Sequence, residues 1–140
     1  MHAEVVAQIA RPPEEVFAYL TDVSNLPSWQ SGVHSAVLEG ELQAGARFLE
    51  SRHILGRELR TTIEIEEYEP PRLFALRAID GPVPFSVRHE LEASEGGTRL
   101  TVTGEGDAGL LPGFAAGIMA RRAEKQFRKD FERLKRLLES

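Results

Sequence analysis

The sequence predicts an α+β domain in which one long C-terminal helix covers one face of a single antiparallel sheet. Three observations predict it. First, Ala116, Ala120, Ala123, Phe127, Phe131, Leu134 and Leu138 recur at steps of three and four, which puts all seven on one side of a helix. Second, from Val33 to Thr103 the period changes to two. It is clearest where Phe85, Val87, His89 and Leu91 alternate with Ser86, Arg88, Glu90 and Glu92. Third, the connectors are short and rich in turn residues: Gly40 through Gly45, Gly56, Pro70-Pro71, Asp80-Gly81-Pro82 and Glu95-Gly96-Gly97. Short connectors join antiparallel neighbours. A sheet with one apolar face needs a cover, and the C-terminal helix is the only element long enough to supply it.

The elements follow in order. Glu4 to Ile9 is a β-prone run and a first strand. Arg11-Pro12-Pro13-Glu14-Glu15 opens a helix, because Pro suits the first turn and the glutamates favour its positive end. Val16, Phe17 and Leu20 supply its buried side, and Asp22 ends it. Ser24 to Trp29 reads as a second very short helix, with Ser24 as its cap. Six further strands are expected at Val33 to Leu38, Ala46 to Leu55, Arg57 to Tyr68, Leu73 to Ile79, Phe85 to Ala93 and Thr98 to Thr103. With the first, they make a sheet of about seven strands. Pro112, Gly113 and Gly117 suggest a loop or kink before the last helix, which is expected from roughly Gly117 to Glu139.

The chain of 140 residues is read as one domain, 1–140, long enough for a substantial core. Its 41% hydrophobic and 28% charged content is that of an ordinary globular protein. It lacks Cys, so disulfides and thiolate chemistry are excluded. No apolar run approaches the roughly 20 residues of a membrane span. The N-terminus does not resemble a signal peptide, so a cytoplasmic location is expected. A net charge of -5 argues against nucleic acid as the main partner. The last helix is nevertheless basic on its outer side, with Arg121, Arg122, Lys125, Arg128, Lys129 and Arg136. That face could meet anionic headgroups; the plainer reading is a solvated face that complements the helix dipole. The sequence does not read out an oligomeric state.

The stretches Ile9-Ala10-Arg11-Pro12-Pro13-Glu14-Glu15-Val16-Phe17, Leu26-Pro27-Ser28-Trp29, Tyr68-Glu69-Pro70-Pro71-Arg72-Leu73 and Gly97-Thr98-Arg99-Leu100 carry a resemblance. In this order of elements the chain resembles the START-like, or SRPBCC, superfamily. It is most similar to the polyketide cyclase/dehydrase-like branch. The resemblance covers nearly the whole chain. It implies a helix-grip fold, in which a curved sheet wraps the long helix and leaves an apolar tunnel. Members bind lipids, sterols, hormones or polyketides, and a minority are enzymes. The matching motifs are helix starts, turns and packing positions, so they speak for fold more than for function.

The helix stripe itself points to a cavity, because its first half is small alanines and its second half bulky Phe and Leu. The expected ligand walls are Trp29, Phe48, Ile63, Phe74, Leu76, Phe85, Val87, His89, Ala116 and Ala120, holding a small hydrophobic lipid-, sterol- or polyketide-like molecule. His89 shares the inward parity of its strand. It reads either as a general base or ligand anchor, or as a core His satisfied by one hydrogen bond. Phe48, Glu50, Arg52 and Ile54 share one parity. If it is inward, Glu50 and Arg52 lie at the cavity and need each other or a ligand. If it is outward, the charges are a solvated face. An enzyme of the cyclase/dehydratase type would use His89 with Glu50 or Arg52. A regulatory or toxin-like interaction module is a third reading. Leu111, Phe114 and Ile118 lie off the main stripe and read either as a gate over the cavity or as packing on the first helices. There is no His-x-x-x-His spacing, phosphate loop, Gly-x-Ser-x-Gly elbow or Ser/His/Asp set, so neither metal nor cofactor is expected.

Overall fold

The structure is a computed structural model that describes residues 2–54, 56–106 and 113–140, with residues 113 and 114 described in backbone only. The elements are β1 (His2–Ile9), α1 (Pro13–Thr21), a single 3-10 turn (Val23–Asn25), α2 (Leu26–Trp29), β2 (Val33–Glu39), β3 (Arg47–Ile54), β4 (Arg57–Glu69), β5 (Leu73–Asp80), β6 (Phe85–Ser94), β7 (Gly97–Gly106) and α3 (Gly113–Glu139). All seven strands form one antiparallel sheet in the order β1-β7-β6-β5-β4-β3-β2. Register shifts at Val33/Ser35, Thr62/Ile63 and Ile65/Glu67 interrupt the β2–β3 and β4–β5 ladders. Bulges of this kind bend and twist a strand, which lets the sheet curl around the helix. This is the expected helix-grip arrangement, with two short helices after β1.

The two faces of the sheet differ in the way the alternation implies. The inner face is apolar and forms one core with α1, α2 and α3, including Ile9, Phe17, Trp29, Phe48, Ile65, Leu100, Phe131 and Leu134. The outer face carries ion pairs such as Arg47–Glu64, Arg77–Glu66 and Arg88–Glu67. These pairs are exposed, so each adds little stability.

Three local expectations need correction. The last helix begins at Gly113, not near Gly117, and runs unbroken through Gly117. Each Gly costs about 1 kcal/mol of propensity, and the neighbouring alanines and methionine offset it. Ala123 is exposed, so the stripe is not buried along its whole length. The cap near the second helix is Asp22, whose carboxylate accepts from the Ser24 N–H and hydroxyl, and α2 itself has no side-chain cap. Ser24 thus donates to a cap instead of serving as one, because it lies inside the 3-10 turn and not at its start. Leu110, Leu111 and Pro112 lie outside the described residues, as do the side chain of Phe114 and all of Leu55.

Candidate functional site

Burial along α3 is graded. Phe131, Leu134 and Leu138 are buried, Leu134 completely. Phe127 is half-buried and lies directly on Gly104 of β7, where an added Cβ would come within 2.8 Å of the Phe127 ring. Gly104 is thus the seat that lets this ring approach the strand backbone. Towards the N-terminus the contact fades. Ala116 and Ala120 are only half-buried, and among the described residues a Cβ at Gly117 would meet nothing within 4 Å.

The sheet shows the same gradient. Phe48, Ile63 and Phe74 are sealed in the core, as is Trp29 of α2. Leu76 is at the edge of burial, and Phe85 and Val87 at the start of β6 are half-buried. The ten anticipated wall residues therefore divide. Trp29, Phe48, Ile63, Phe74, Leu76 and His89 belong to the packed interior. Phe85, Val87, Ala116 and Ala120 lie where packing thins.

His89 is 2% exposed and its ring packs between Phe74 and Phe131, at centroid distances of 5.6 and 5.8 Å. Its Nδ1 lies 2.9 Å from the Phe74 carbonyl oxygen. A carbonyl only accepts, so Nδ1 carries the proton and Nε2 is the lone-pair nitrogen of the neutral ring. Burial lowers its pKa from 6.5 to about 4, against the Phe74 hydrogen bond, which acts the other way. The geometry is that of a core His satisfied by one hydrogen bond.

Glu50 and Arg52 do face inward. Glu50 is 5% exposed and accepts from Arg52 Nε at 3.1 Å. Arg52 also donates to Gln30 Oε1 at 2.8 Å. A third charged group, Asp130 of α3, joins this cluster. Asp130 is buried and accepts from the Ser31 backbone N–H at 3.1 Å and from Gln126 at 2.9 Å. Desolvation raises its pKa, while Gln126, the Ser31 N–H, Arg52 and Arg133 oppose the rise. The network ties the α2–β2 turn and β3 to α3, and it has the character of a clamp. Among the described residues, His89 shares no hydrogen bond or ion pair with Glu50 or Arg52. Three strand spacings, about 14 Å along the sheet, separate β6 from β3. The three candidate catalytic groups therefore do not converge.

One polar atom is left over. The indole Nε1 of Trp29 is buried without a hydrogen-bond partner among the described residues, while its ring packs on Phe131 at 5.1 Å. Neither the Asp130 clamp nor this orphan N–H was anticipated from sequence.

Two grooves flank α1 on the outside of the molecule. One, of about 530 Å³, runs between Tyr19 and Asn25 and the end of α3 at Leu137 and Leu138. The other, of about 430 Å³, lies between Phe17 and Thr21, Leu42, Tyr68 and the Pro70-Pro71 turn. No anticipated wall residue lines either groove. Of the anticipated gate residues, Ile118 is exposed and points away from the main stripe. Among the described residues no group of three His, Asp or Glu side chains could hold a metal ion, and no helix is long and apolar enough to cross a membrane.

A curled antiparallel sheet gripping a C-terminal helix, with an apolar face incompletely covered at one end, defines a helix-grip protein of the SRPBCC class. Within that class the chain belongs to the polyketide cyclase / dehydrase and lipid transport family (Polyketide_cyc2), whose profile matches residues 1–139. Solved structures share the fold at low identity. TTHA0849 from Thermus thermophilus is 19% identical with a TM-score of 0.77, covering 99% of this chain and 94% of its own. A conserved protein from Geobacillus kaustophilus is 18% identical with a TM-score of 0.76, covering 99% and 95%. Ara h 8.0201 is 17% identical with a TM-score of 0.73, covering 99% and 97%. Among curated proteins, none matches this chain. Family membership implies dealings with hydrophobic small molecules in general.

Proposed function

We propose that this protein binds a small hydrophobic molecule, of lipid, sterol or polyketide type, between the sheet and the N-terminal half of α3. The observation that carries the reading is the burial gradient. Interiors normally pack at near-crystal density. Here Leu134 and Leu100 are wholly buried, while Phe85, Val87, Ala116 and Ala120 keep access at the other end of the same face. Apolar walls of this kind supply affinity in ligand sites. The enzyme alternative needs His89 beside Glu50 or Arg52, and these groups are held apart by their own partners, so binding without turnover is the better-supported reading.

The test is titration of wild type and Ala120→Leu with a hydrophobic fluorescent probe. Uptake by wild type and weaker uptake by Ala120→Leu, with the thermal melt unchanged, is the expected result. Absence of uptake by wild type would sink the reading. Mass spectrometry of an organic extract of the purified protein would then identify what it carries.

A further inference from the structure

The strand connections fix which parts of the molecule share one end. The β3–β4 turn, the β5–β6 turn, the end of β7 and the start of β1 all lie at the same end of an antiparallel sheet. The first turns of α3 lie there too. Arg128 donates to the Glu4 carbonyl at 2.9 Å, Lys135 to the Gln8 carbonyl at 2.6 Å, and Glu139 accepts from the Ala10 N–H at 2.8 Å. These contacts make α3 run alongside β1 in the same direction. From Arg128 back to Ile118 the helix rises about 15 Å. From Glu4 back to His2 the strand extends only about 7 Å. The start of α3 therefore overhangs the end of β1.

Two kinds of side chain meet at this end. Ile54, Val83, Ile118 and Met119 are large apolar residues between 37% and 43% exposed. Val83 is held between Pro82 and Pro84, whose fixed φ angles stiffen the tip that presents it. Arg57, Arg121, Arg122 and Lys125 are exposed cations. Ile118, Arg121, Arg122 and Lys125 share one side of the helix by their spacing. None of the four cations is in an ion pair among the described residues. By contrast Arg47, Arg77, Arg88 and Arg99 of the outer sheet face each hold a glutamate. The acids at this end, among the described residues, are Glu58, Asp80, Glu105 and Glu124, the last paired with Arg128. Glu58 is engaged by Arg60 and Ser51, and Glu105 by His2.

We infer that this end is a docking surface for an anionic lipid bilayer, which Ile54, Val83, Ile118 and Met119 enter while Arg57, Arg121, Arg122 and Lys125 contact the headgroups. The protein is acidic as a whole, so unpaired cations at one end give it an orientation relative to a negative surface. Apolar side chains set among cations are the pattern of interfacial binding, where buried apolar area and attraction to anionic lipid add. The outer side of α3 further along is basic as well, but among the described residues Leu137 is its one exposed large apolar side chain. This favours end-on docking over a helix lying flat. Docking requires only this end of the fold and not a cavity, so its failure and that of the ligand-binding reading are separable.

The test is sedimentation with vesicles of phosphatidylcholine containing about one-third phosphatidylglycerol, against pure phosphatidylcholine. Each cation near an anionic leaflet changes partitioning about fivefold. Binding to the anionic vesicles is expected, weakening with salt. Arg121→Ala with Arg122→Ala should lower it about 25-fold, and Val83→Ser with Ile118→Ser should also lower it. Lys129→Ala with Arg136→Ala, further along the helix, should leave it nearly unchanged. Absence of binding, equal binding to pure phosphatidylcholine, or equal loss in the Lys129/Arg136 variant would each overturn end-on docking. Probe uptake measured without vesicles reads the cavity independently.

Discussion

The two halves of α3 share one spacing but have opposite fates. Both present a residue to the sheet every three or four positions. In the C-terminal half that residue is Phe127, Phe131, Leu134 or Leu138, and the contact is sealed. In the N-terminal half it is Ala116 or Ala120, both only half-buried, and Ala123 is exposed. Periodicity fixes which side of a helix faces a neighbour, and side-chain volume fixes whether the two surfaces close. A stripe can therefore be continuous in phase and discontinuous in function.

The comparison can be broken most severely at Phe131. This ring touches Trp29, His89 and Phe127 at centroid distances of 5.1, 5.8 and 5.1 Å. Phe131→Ala should lose about 3–5 kcal/mol, measured by denaturant or thermal unfolding. A melt like that of wild type would refute the division into a sealed and an open half.

The next effect comes from pH. His89 is held neutral in the fold with a pKa of about 4, below its ordinary 6.5. The unfolded chain therefore binds the proton first as pH falls. His89 favours the fold fully above about pH 6.5, and this contribution is lost between there and about pH 4. The loss amounts to roughly 3 kcal/mol. Thermal melts across this range should fall more steeply for wild type than for His89→Gln. Parallel curves would mean that the ring is hydrated or already charged.

A smaller effect is expected at Gly104. Its added Cβ would strike the far end of the Phe127 ring, which can rotate away at some loss of packing. Gly104→Ala should cost about 1–3 kcal/mol, the overpacking range. An unchanged melt would show that Phe127 is not held against β7. The smallest change belongs to the open half. Ala120→Leu should shift stability by less than about 1 kcal/mol, because it fills space and displaces nothing. A loss in the overpacking range would mean that the N-terminal half is closed as well.

Most of the architecture was legible before the structure. Strand alternation and turn residues identify seven strands because a half-buried sheet imposes a period of two on both faces. The start of α3 was not legible. Gly113 and Gly117 read as breakers, although the helix propensity of Ala115, Ala116, Met119 and Ala120 around them offsets their cost. The facing of β3 was ambiguous because Phe48, Glu50, Arg52 and Ile54 mix charge with apolar bulk. Besides Glu50 on its own strand, the tertiary neighbours Gln30 and Asp130 make an inward Arg52 tolerable. Those partners are distant in sequence, and so the clamp had no local signature. The same holds for Trp29, whose unpaired N–H depends on what surrounds it. For His89 the sequence offered two readings, and the core His satisfied by one hydrogen bond is the one the structure bears out. The carbonyl that satisfies it belongs to the adjacent strand, and no side-chain pattern records a backbone partner.

The bonds from α3 to the backbone of β1 have a bearing on association between copies. β1 is an edge strand, and the outward amide groups of an edge are a template on which another chain can add a strand. Here the carbonyls of Glu4 and Gln8 and the N–H of Ala10 are occupied by Arg128, Lys135 and Glu139. Three side chains of one helix thus stand in for a missing eighth strand. The edge is thereby partly covered against strand addition, and loss of Arg128 and Lys135 together would uncover the Glu4 and Gln8 carbonyls while leaving the core intact.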